Sequence, residues 1–286
     1  MAASTAALRG ITKQYKDFTL GPVDMTVPAG SIVGLIGENG AGKTTLLKIL
    51  CGVNRADDGT VDRLGGSPAD AATRAKIGVV FEDAFFYGTF TAAQVARSLA
   101  GMYGAQWNAD SFSAYLRRFG LDAGKKLKEY SRGMRLKLRL AAALAHDPEL
   151  LVLDEATAGL DAVVRGALLD LFLEFIQDER HSIVMSSHIT ADLEQIADSI
   201  AYLHNGQLLF QENKDDLLQE YGVLHCGEDV LTSLPAGLVV FTRRGAYGCE
   251  SLVRERRTVQ ELLPEAVCDA ARLDDIMRFY SGRDAQ

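Results

Sequence analysis

The chain has 286 residues, 48% of them hydrophobic and 24% charged, so a sizeable hydrophobic core is expected. Its formal net charge of −8 argues against a nucleic-acid partner, because neutralising phosphates requires a basic surface. No segment approaches the ~18 consecutive apolar residues of a membrane helix, and residues 1–10 lack the pattern of a signal peptide. A function at a membrane would therefore require docking onto another chain.

The first predicted element is an apolar strand, Ser31–Ile36, followed by a glycine-rich loop and a helix over Lys43–Leu50. The loop fits G-x-x-x-x-G-K-[ST] in the strand–loop–helix context that α/β nucleotide-binding folds share. Its backbone N–H groups would surround phosphates, Lys43 would reach the β- and γ-phosphates, and the Thr44 hydroxyl would bind Mg²⁺. The alternative is a glycine turn before an ordinary helix. The predicted nucleotide-binding residues are Gly37, Asn39, Gly40, Ala41, Gly42, Lys43, Thr44 and Thr45.

Further buried strands and a long helical region follow. Periodicity predicts helices over 91–145 and an antiparallel hairpin whose type I′ turn is Asn205–Gly206. After residue 220 the pattern becomes less regular, and 221–286 is predicted to be a small appended segment. The other predicted strands and helices are Ile77–Phe81, Leu150–Leu153, Val163–Gln177, Ser182–Ser186, Gly237–Thr242 and Leu273–Tyr280.

The strand Leu150–Leu153 leads into two consecutive carboxylates, Asp154 and Glu155. Phosphoryl transfer depends mainly on positioning and charge stabilisation, so one metal-binding acid and one water-orienting base suffice. We therefore predict that Asp154 orients Mg²⁺ and that Glu155 polarises the attacking water. The alternative is a pair of solvated loop acids.

Ser131 and Gly133 precede a helix rich in leucine, alanine and basic residues. Serine is a favoured N-cap, and a Ser-x-Gly at a helix start also offers a hydroxyl and backbone N–H groups to an anion. An N-cap without further function is the alternative at this position.

These motifs, in this order, resemble the ATP-binding subunits of ABC transporters over about residues 8–220. In that family a Ser-Gly-Gly-Gln signature precedes the acidic strand, and Ser131 and Gly133 match it. Asp161, in Ala158–Asp161, resembles the family's D-loop, and His188 ends a strand at the family's switch position, where it would bond the γ-phosphate. Tyr15 lies where the family stacks an aromatic ring on adenine.

Four positions depart from the family pattern. Arg132 and Met134 replace signature residues, Ala156 replaces a proline, and Glu82 replaces the glutamine expected to contact the nucleotide and Mg²⁺. Glu82 and a Ser-[Lys/Arg]-Gly-Met signature resemble the ABC-2 type exporters of Gram-positive bacteria, which favours export over import.

The resemblance implies an α/β protein with a P-loop NTPase core of ABC ATPase type and an N-terminal antiparallel β portion. The ATPase domain would span 1–220, with an inserted helical subdomain at about 85–145, and 221–286 would form a small C-terminal extension. ATP and Mg²⁺ would bind between this chain and a second ATP-binding subunit. Hydrolysis would drive a separate membrane-spanning permease, which places the chain at the cytoplasmic face of a bacterial membrane.

Three other classes of protein compete with this interpretation. A ribosome-acting ABC ATPase usually carries two ATPase cores, and a DNA-repair ABC ATPase needs a long coiled coil between its nucleotide motifs. The roughly 110 residues between Lys43 and Asp154 leave no room for such a coiled coil. A nucleotide sensor without turnover would lack Glu155 or His188, and both are present.

Overall fold

The computed structural model describes residues 4–66, 70–81, 86–245 and 248–281. Within these ranges the strands, in chain order, are β1 (Ser4–Gln14), β2 (Thr19–Pro28), β3 (Ile32–Ile36), β4 (Asp58–Arg63), β5 (Ile77–Val80), β6 (Leu150–Asp154), β7 (Ser182–Ser186), β8 (Ser199–His204), β9 (Gln207–Asn213), β10 (Gly222–Cys226), β11 (Val239–Gly245), β12 (Gly248–Val253) and β13 (Val267–Ala270). The helices are α1 (Lys43–Leu50), α2 (Ala71–Ala75), α3 (Ala92–Tyr103), α4 (Ala109–Arg118), α5 (Arg132–Leu144), α6 (Ala162–Phe175), α7 (Thr190–Ile196), α8 (Lys214–Glu220), α9 (Glu228–Leu231), α10 (Arg256–Leu262) and α11 (Leu273–Ser281).

The central sheet has the order β5-β6-β7-β3-β8-β9. Its first five strands are parallel, and β9 returns antiparallel to β8. All residues of β3, β6 and β7 are buried, as expected for parallel strands covered on both faces. Because β6, β7 and β3 are neighbours, the loops at their carboxyl ends meet at one edge of the sheet, the usual ligand position in such folds.

A second, antiparallel sheet with the order β2-β1-β4 packs against α1 and the central sheet. Leu8, Ile11 and Leu20 contribute to this core together with Leu46 of α1. The amide of Gln211 on β9 bridges the two sheets, donating to Thr26 O at 2.6 Å and accepting from Thr26 N at 2.9 Å. The strands thus form the antiparallel β portion that the sequence predicted near the N-terminus.

The helical part consists of α3, α4 and α5, which pack around their own apolar cluster that includes Phe112 and Tyr130. Each helix begins with a side-chain cap. Thr91 and Gln94 form a capping box at α3, Asn108 caps α4, and Ser131 accepts a hydrogen bond from Met134 N at 3.2 Å to cap α5. The helices α3, α4 and α5 form the inserted helical part that the predicted fold includes, and its extent over about 85–145 stays a prediction.

The C-terminal residues form a third sheet with the order β11-β12-β10-β13. Leu252 on one face of this sheet belongs to the apolar cluster of α6 and α7, and the cluster also includes Ile276 and Phe279 of α11. The opposite face, with Leu224 and Val253, packs on a separate small cluster. The C-terminal extension therefore shares the main core of the molecule. Among the described residues, no helix is both long and apolar enough to cross a membrane.

Candidate functional site

The glycine-rich loop joins β3 to the N-terminus of α1. Gly42 is the N-cap residue of α1 with φ at 106°, and a Cβ there would lie 2.9 Å from Phe18 and 3.0 Å from Leu20. Both the left-handed conformation and the close packing therefore require glycine. No acidic residue occupies the first turn of α1, so its N–H groups and helix dipole favour an anion.

Lys43 lies folded over this loop. Its side chain is buried, and its Nζ donates to Gly37 O at 2.8 Å and to Glu38 O at 3.1 Å. The same Nζ lies 3.7 Å from Glu155 Oε1. The ammonium group is thus held at the loop that is predicted to receive phosphates, on the side of the acidic residues.

Asp154, the last residue of β6, is hydrogen-bonded to α1 and to β7. Thr44 Oγ1 donates to Asp154 Oδ2 at 2.8 Å, and Ser186 Oγ at the end of β7 donates to Asp154 Oδ1 at 2.7 Å. The carboxylate is buried, and both of its partners are fixed by the sheet edge. A carboxylate beside a hydroxyl is an oxygen donor set of the kind that Mg²⁺ takes in phosphate-binding sites.

Glu155 and His188 face each other at the same edge. His188 Nδ1 lies 2.6 Å from Glu155 Oε2, and Glu155 N donates to Ser186 Oγ at 3.0 Å. Glu155 has φ at 51°, a conformation that is uncommon for residues other than glycine and that is often found at functional sites. Side chains from β6 and β7 therefore hold the carboxylate of Glu155 beside Lys43.

The signature and D-loop residues lie at the starts of two helices. Ser131 is exposed, and Gly133 lies in the first turn of α5, where a Cβ would lie 3.5 Å from Leu160. Asp161 caps α6 by accepting from Val164 N at 2.9 Å. Arg132, the departure from the family signature, lies against Gly159, because a Cβ there would be 2.7 Å from its Nη1.

Tyr15 follows β1 and is 42% exposed. Its ring lies 6.5 Å from that of Phe18, and its hydroxyl accepts from Asn54 Nδ2 at 3.5 Å. Phe18 also approaches Gly42, so it lies between Tyr15 and the phosphate loop. Asn39, Gly40, Ala41 and Thr45 lie in the loop and the first turn of α1, as predicted. Glu82 lies outside the described residues.

Two residues of the site, Ser186 and Phe18, were not predicted from the sequence, and neither was Arg63, which supports the far end of α1. Ser186 bonds both Asp154 and the backbone of Glu155, and its place at the end of the strand before His188 was the available signal. Phe18 packs beside the loop, two residues before Leu20. Arg63 is buried and donates to Leu50 O and, at 2.6 Å, to Ile49 O, so it caps the C-terminus of α1. Nothing in the sequence around Arg63 indicates that role.

Comparison with known proteins places this geometry in a family. A family model described as ABC transporter matches residues 20–158. The bacitracin transport ATP-binding protein BcrA of Enterococcus faecalis is 34% identical over 72% of this chain and 68% of its own length. NatA of Bacillus subtilis, an ABC transporter ATP-binding protein, is 32% identical over 69% of this chain and 82% of its own length. The chain spans 58% of an uncharacterized Synechocystis ABC transporter ATP-binding protein that is 38% identical.

A solved ATP-binding subunit of an ABC transporter is 28% identical, with a TM-score of 0.68 over 75% of this chain and 92% of that chain. A dimeric ATP-binding cassette in a post-hydrolysis state, bound to ADP and Pi, shares the fold with a TM-score of 0.64 at 22% identity, over 73% of this chain and 98% of that chain. These relatives give no support to the ribosome-acting alternative. With the glycine-rich loop, the acidic strand end and His188 at one sheet edge, the chain belongs to the family of ATP-binding subunits of ABC transporters, which are ATPases.

Proposed function

We propose that this chain hydrolyses ATP at the edge formed by β3, β6 and β7 and thereby drives a separate membrane-spanning permease that exports its cargo. One observation carries the proposal: hydrogen bonds link Thr44, Asp154, Ser186, Glu155 and His188, with Lys43 beside them. The bacitracin and lantibiotic transport proteins among the relatives support the transport role. The chain would then act at the cytoplasmic face of a bacterial membrane.

Each residue of the edge has a role in the proposed reaction. Lys43 would release the loop carbonyls of Gly37 and Glu38 and donate to the β- and γ-phosphate oxygens. Thr44 and Asp154 are the residues that would hold Mg²⁺, which neutralises charge on the phosphates when bound. The oxygen donor set fits this ion, because the Thr44 hydroxyl and the Asp154 carboxylate already lie 2.8 Å apart.

Glu155 would orient the attacking water and accept its proton as the water approaches the γ-phosphorus. His188 holds Glu155 at 2.6 Å and would donate to the γ-phosphate once that group is present. Ser131 and Gly133 would contact the triphosphate bound by a second subunit, because the start of α5 presents the exposed Ser131 hydroxyl at a helix N-terminus, where the dipole favours an anion. Asp161 would lie beside them, and Tyr15 would stack on adenine. We also assign nucleotide and Mg²⁺ contact to Glu82, on the family position alone.

The experiment that tests the site is Glu155→Gln in the full chain. The amide cannot accept a proton, so steady-state hydrolysis should fall roughly 10²- to 10⁴-fold while ATP binding is retained. The variant should accumulate an ATP-bound dimer on a sizing column. Glu149→Gln is the matched control, because Glu149 pairs with Lys76 at 2.8 Å just before β6. Normal turnover by Glu155→Gln would remove Glu155 from the reaction.

The oligomeric state and the membrane partner are tested by two further experiments. A Glu155→Gln variant that stays monomeric with ATP would show that the second ATP-binding subunit is a different chain. When the native assembly is purified from detergent-solubilised membranes, a membrane-spanning chain should co-purify with it. Recovery with ribosomes instead would overturn the transport proposal and leave the hydrolytic site intact.

A further inference from the structure

Two cysteines lie directly opposite each other in the C-terminal sheet. Cys226 ends β10 and Cys249 lies near the start of β12, and the antiparallel register pairs them. Directly opposed residues in antiparallel strands have Cα atoms about 4.5–5.5 Å apart, and disulfides span Cα distances of about 4.4–6.8 Å. The backbone of this antiparallel strand pair therefore already satisfies the distance that a cross-strand disulfide requires.

The two side chains lie on the same face of the sheet. Leu224 and Val253 pack in the small cluster on that face, and side chains alternate along a strand. Cys226 is two residues from Leu224, and Cys249 is four residues from Val253, so both point the same way. Both thiols are free. Burial, and to a lesser degree the neighbouring Cys249, raises the pKa of the Cys226 thiol, so the thiolate that begins exchange forms more readily at alkaline pH.

Cys226 is reachable from solvent, and its partner Cys249, although buried, lies beside it. Cys226 is only partly buried and borders two cavities of about 630 and 520 Å³. Cys249 lines the first of them. The other two cysteines differ: Cys51 is buried at the end of α1, and Cys268 faces Leu224 across the β10–β13 pair rather than a cysteine. Cys226 is thus both partly exposed and directly opposite a second cysteine.

We propose that Cys226 and Cys249 form an opposed dithiol that exchanges with low-molecular-weight disulfides and closes to a cross-strand disulfide. The Cys226 thiolate attacks one sulfur of the small disulfide, whose S–S bond breaks and whose leaving thiolate takes up a proton. The Cys249 thiolate then attacks Cys226 Sγ in this mixed disulfide and expels the second small thiol. The two cysteines are oxidised, and one small disulfide is reduced to two thiols. The inference does not depend on the proposed function.

The experiment treats the full chain with oxidised glutathione, alkylates the remaining thiols and maps them by mass spectrometry. We expect the mass of the chain to fall by about 2 Da before alkylation, because disulfide formation removes two hydrogens. We also expect one pair of peptides to be linked through Cys226 and Cys249. The fraction linked should reverse with excess dithiothreitol. Four alkylated thiols after the treatment, or a link that uses Cys51 or Cys268, would overturn the proposal.

Three serine variants sharpen the test. Cys226→Ser and Cys249→Ser should abolish the internal link, whereas Cys268→Ser should keep it. A second probe, phenylarsine oxide, bridges two adjacent thiols with release of water and needs no oxidant. One equivalent should bind the native chain and the Cys268→Ser variant, and binding should be lost in Cys226→Ser. Equal binding by the native chain and Cys226→Ser would contradict a dithiol at this position.

Discussion

The nucleotide site and the C-terminal extension are built by different means. At the site, polar side chains from neighbouring loops bond one another at a single sheet edge, and short motifs encode them. In the extension, apolar residues scattered over four strands and α11 bury themselves in the main core and in a small cluster of their own. Chemistry requires fixed residue types at fixed spacing, whereas packing accepts many apolar sequences. The nucleotide site is therefore easier to predict from the sequence than the C-terminal extension is.

The two regions nevertheless meet beside His188. Thr190 begins α7 two residues after His188, and its Oγ1 donates to Asp274 Oδ1 at 2.9 Å. Leu273 N donates to Glu194 Oε1 of the same helix at 2.9 Å. Through these bonds the N-terminus of α11 is fixed to α7. The extension is therefore part of the structural support of the site and cannot be treated as an independent appendage.

Phe279→Ala tests whether the extension and the ATPase core unfold together. We expect it to have the largest effect on the free energy of unfolding. Phe279 is 2% exposed in the cluster that α6 and α7 share, and Phe→Ala in a core costs roughly 3–5 kcal/mol of unfolding free energy. Urea unfolding followed by intrinsic fluorescence should show one transition at lower urea. Leu262→Ala, at a position that is 50% exposed, is the control and should change little. A separate early transition with an unaltered ATPase core would support an independent extension.

A smaller effect is expected at the site itself for Lys43→Ala. Charge-assisted hydrogen bonds to phosphate oxygens contribute roughly 1.5–3 kcal/mol, which corresponds to a rise in the Kd for ATP of roughly 10- to 150-fold. Calorimetric titration measures the change, and unfolding stability should stay near the native value. Lys76→Ala is the matched control, because Lys76 pairs with Glu149 outside the site. An unchanged Kd in Lys43→Ala would remove Lys43 from phosphate binding.

Much of the central sheet could be predicted from the sequence. The strands β3, β5, β6 and β7 are short apolar runs, and their predicted bounds agree with the structure to within one residue. The Asn205–Gly206 turn has φ at 45° and 80°, as a type I′ turn requires. The hydroxyl of Thr44 meets Asp154 across 110 residues because the two motifs follow β3 and β6, whose carboxyl ends lie at the same edge of the sheet with only β7 between them. Hydrophobic patterns and short motifs therefore suffice to predict these strands and the functional residues that follow them in the sequence.

The extension could not be predicted in the same way. The sequence indicated one strand over Gly237–Thr242 and the helix over Leu273–Tyr280, but it missed β10, β12 and β13. These strands are short and mix buried with exposed residues, so their pairing depends on tertiary contacts. Arg63 was missed for a similar reason, since its partners Ile49 and Leu50 belong to a distant helix end.

The smallest expected effect concerns the rim of the site, where Tyr15 is 42% exposed and in contact with few groups. Stacking of an aromatic ring on adenine is worth roughly 0.5–1.5 kcal/mol, so Tyr15→Ala should raise KM roughly 2- to 12-fold with little change in kcat. Tyr15→Phe keeps the ring and should stay near the native KM, which separates stacking from the bond to Asn54. Tyr87→Ala, at a tyrosine that is 77% exposed, controls for loss of a surface ring.

Because Phe18 lies between Tyr15 and Gly42, loss of the Tyr15 ring should leave the phosphate loop in place. A large fall in kcat at saturating ATP would show instead that Tyr15 supports the loop, and adenine stacking would then not be its role.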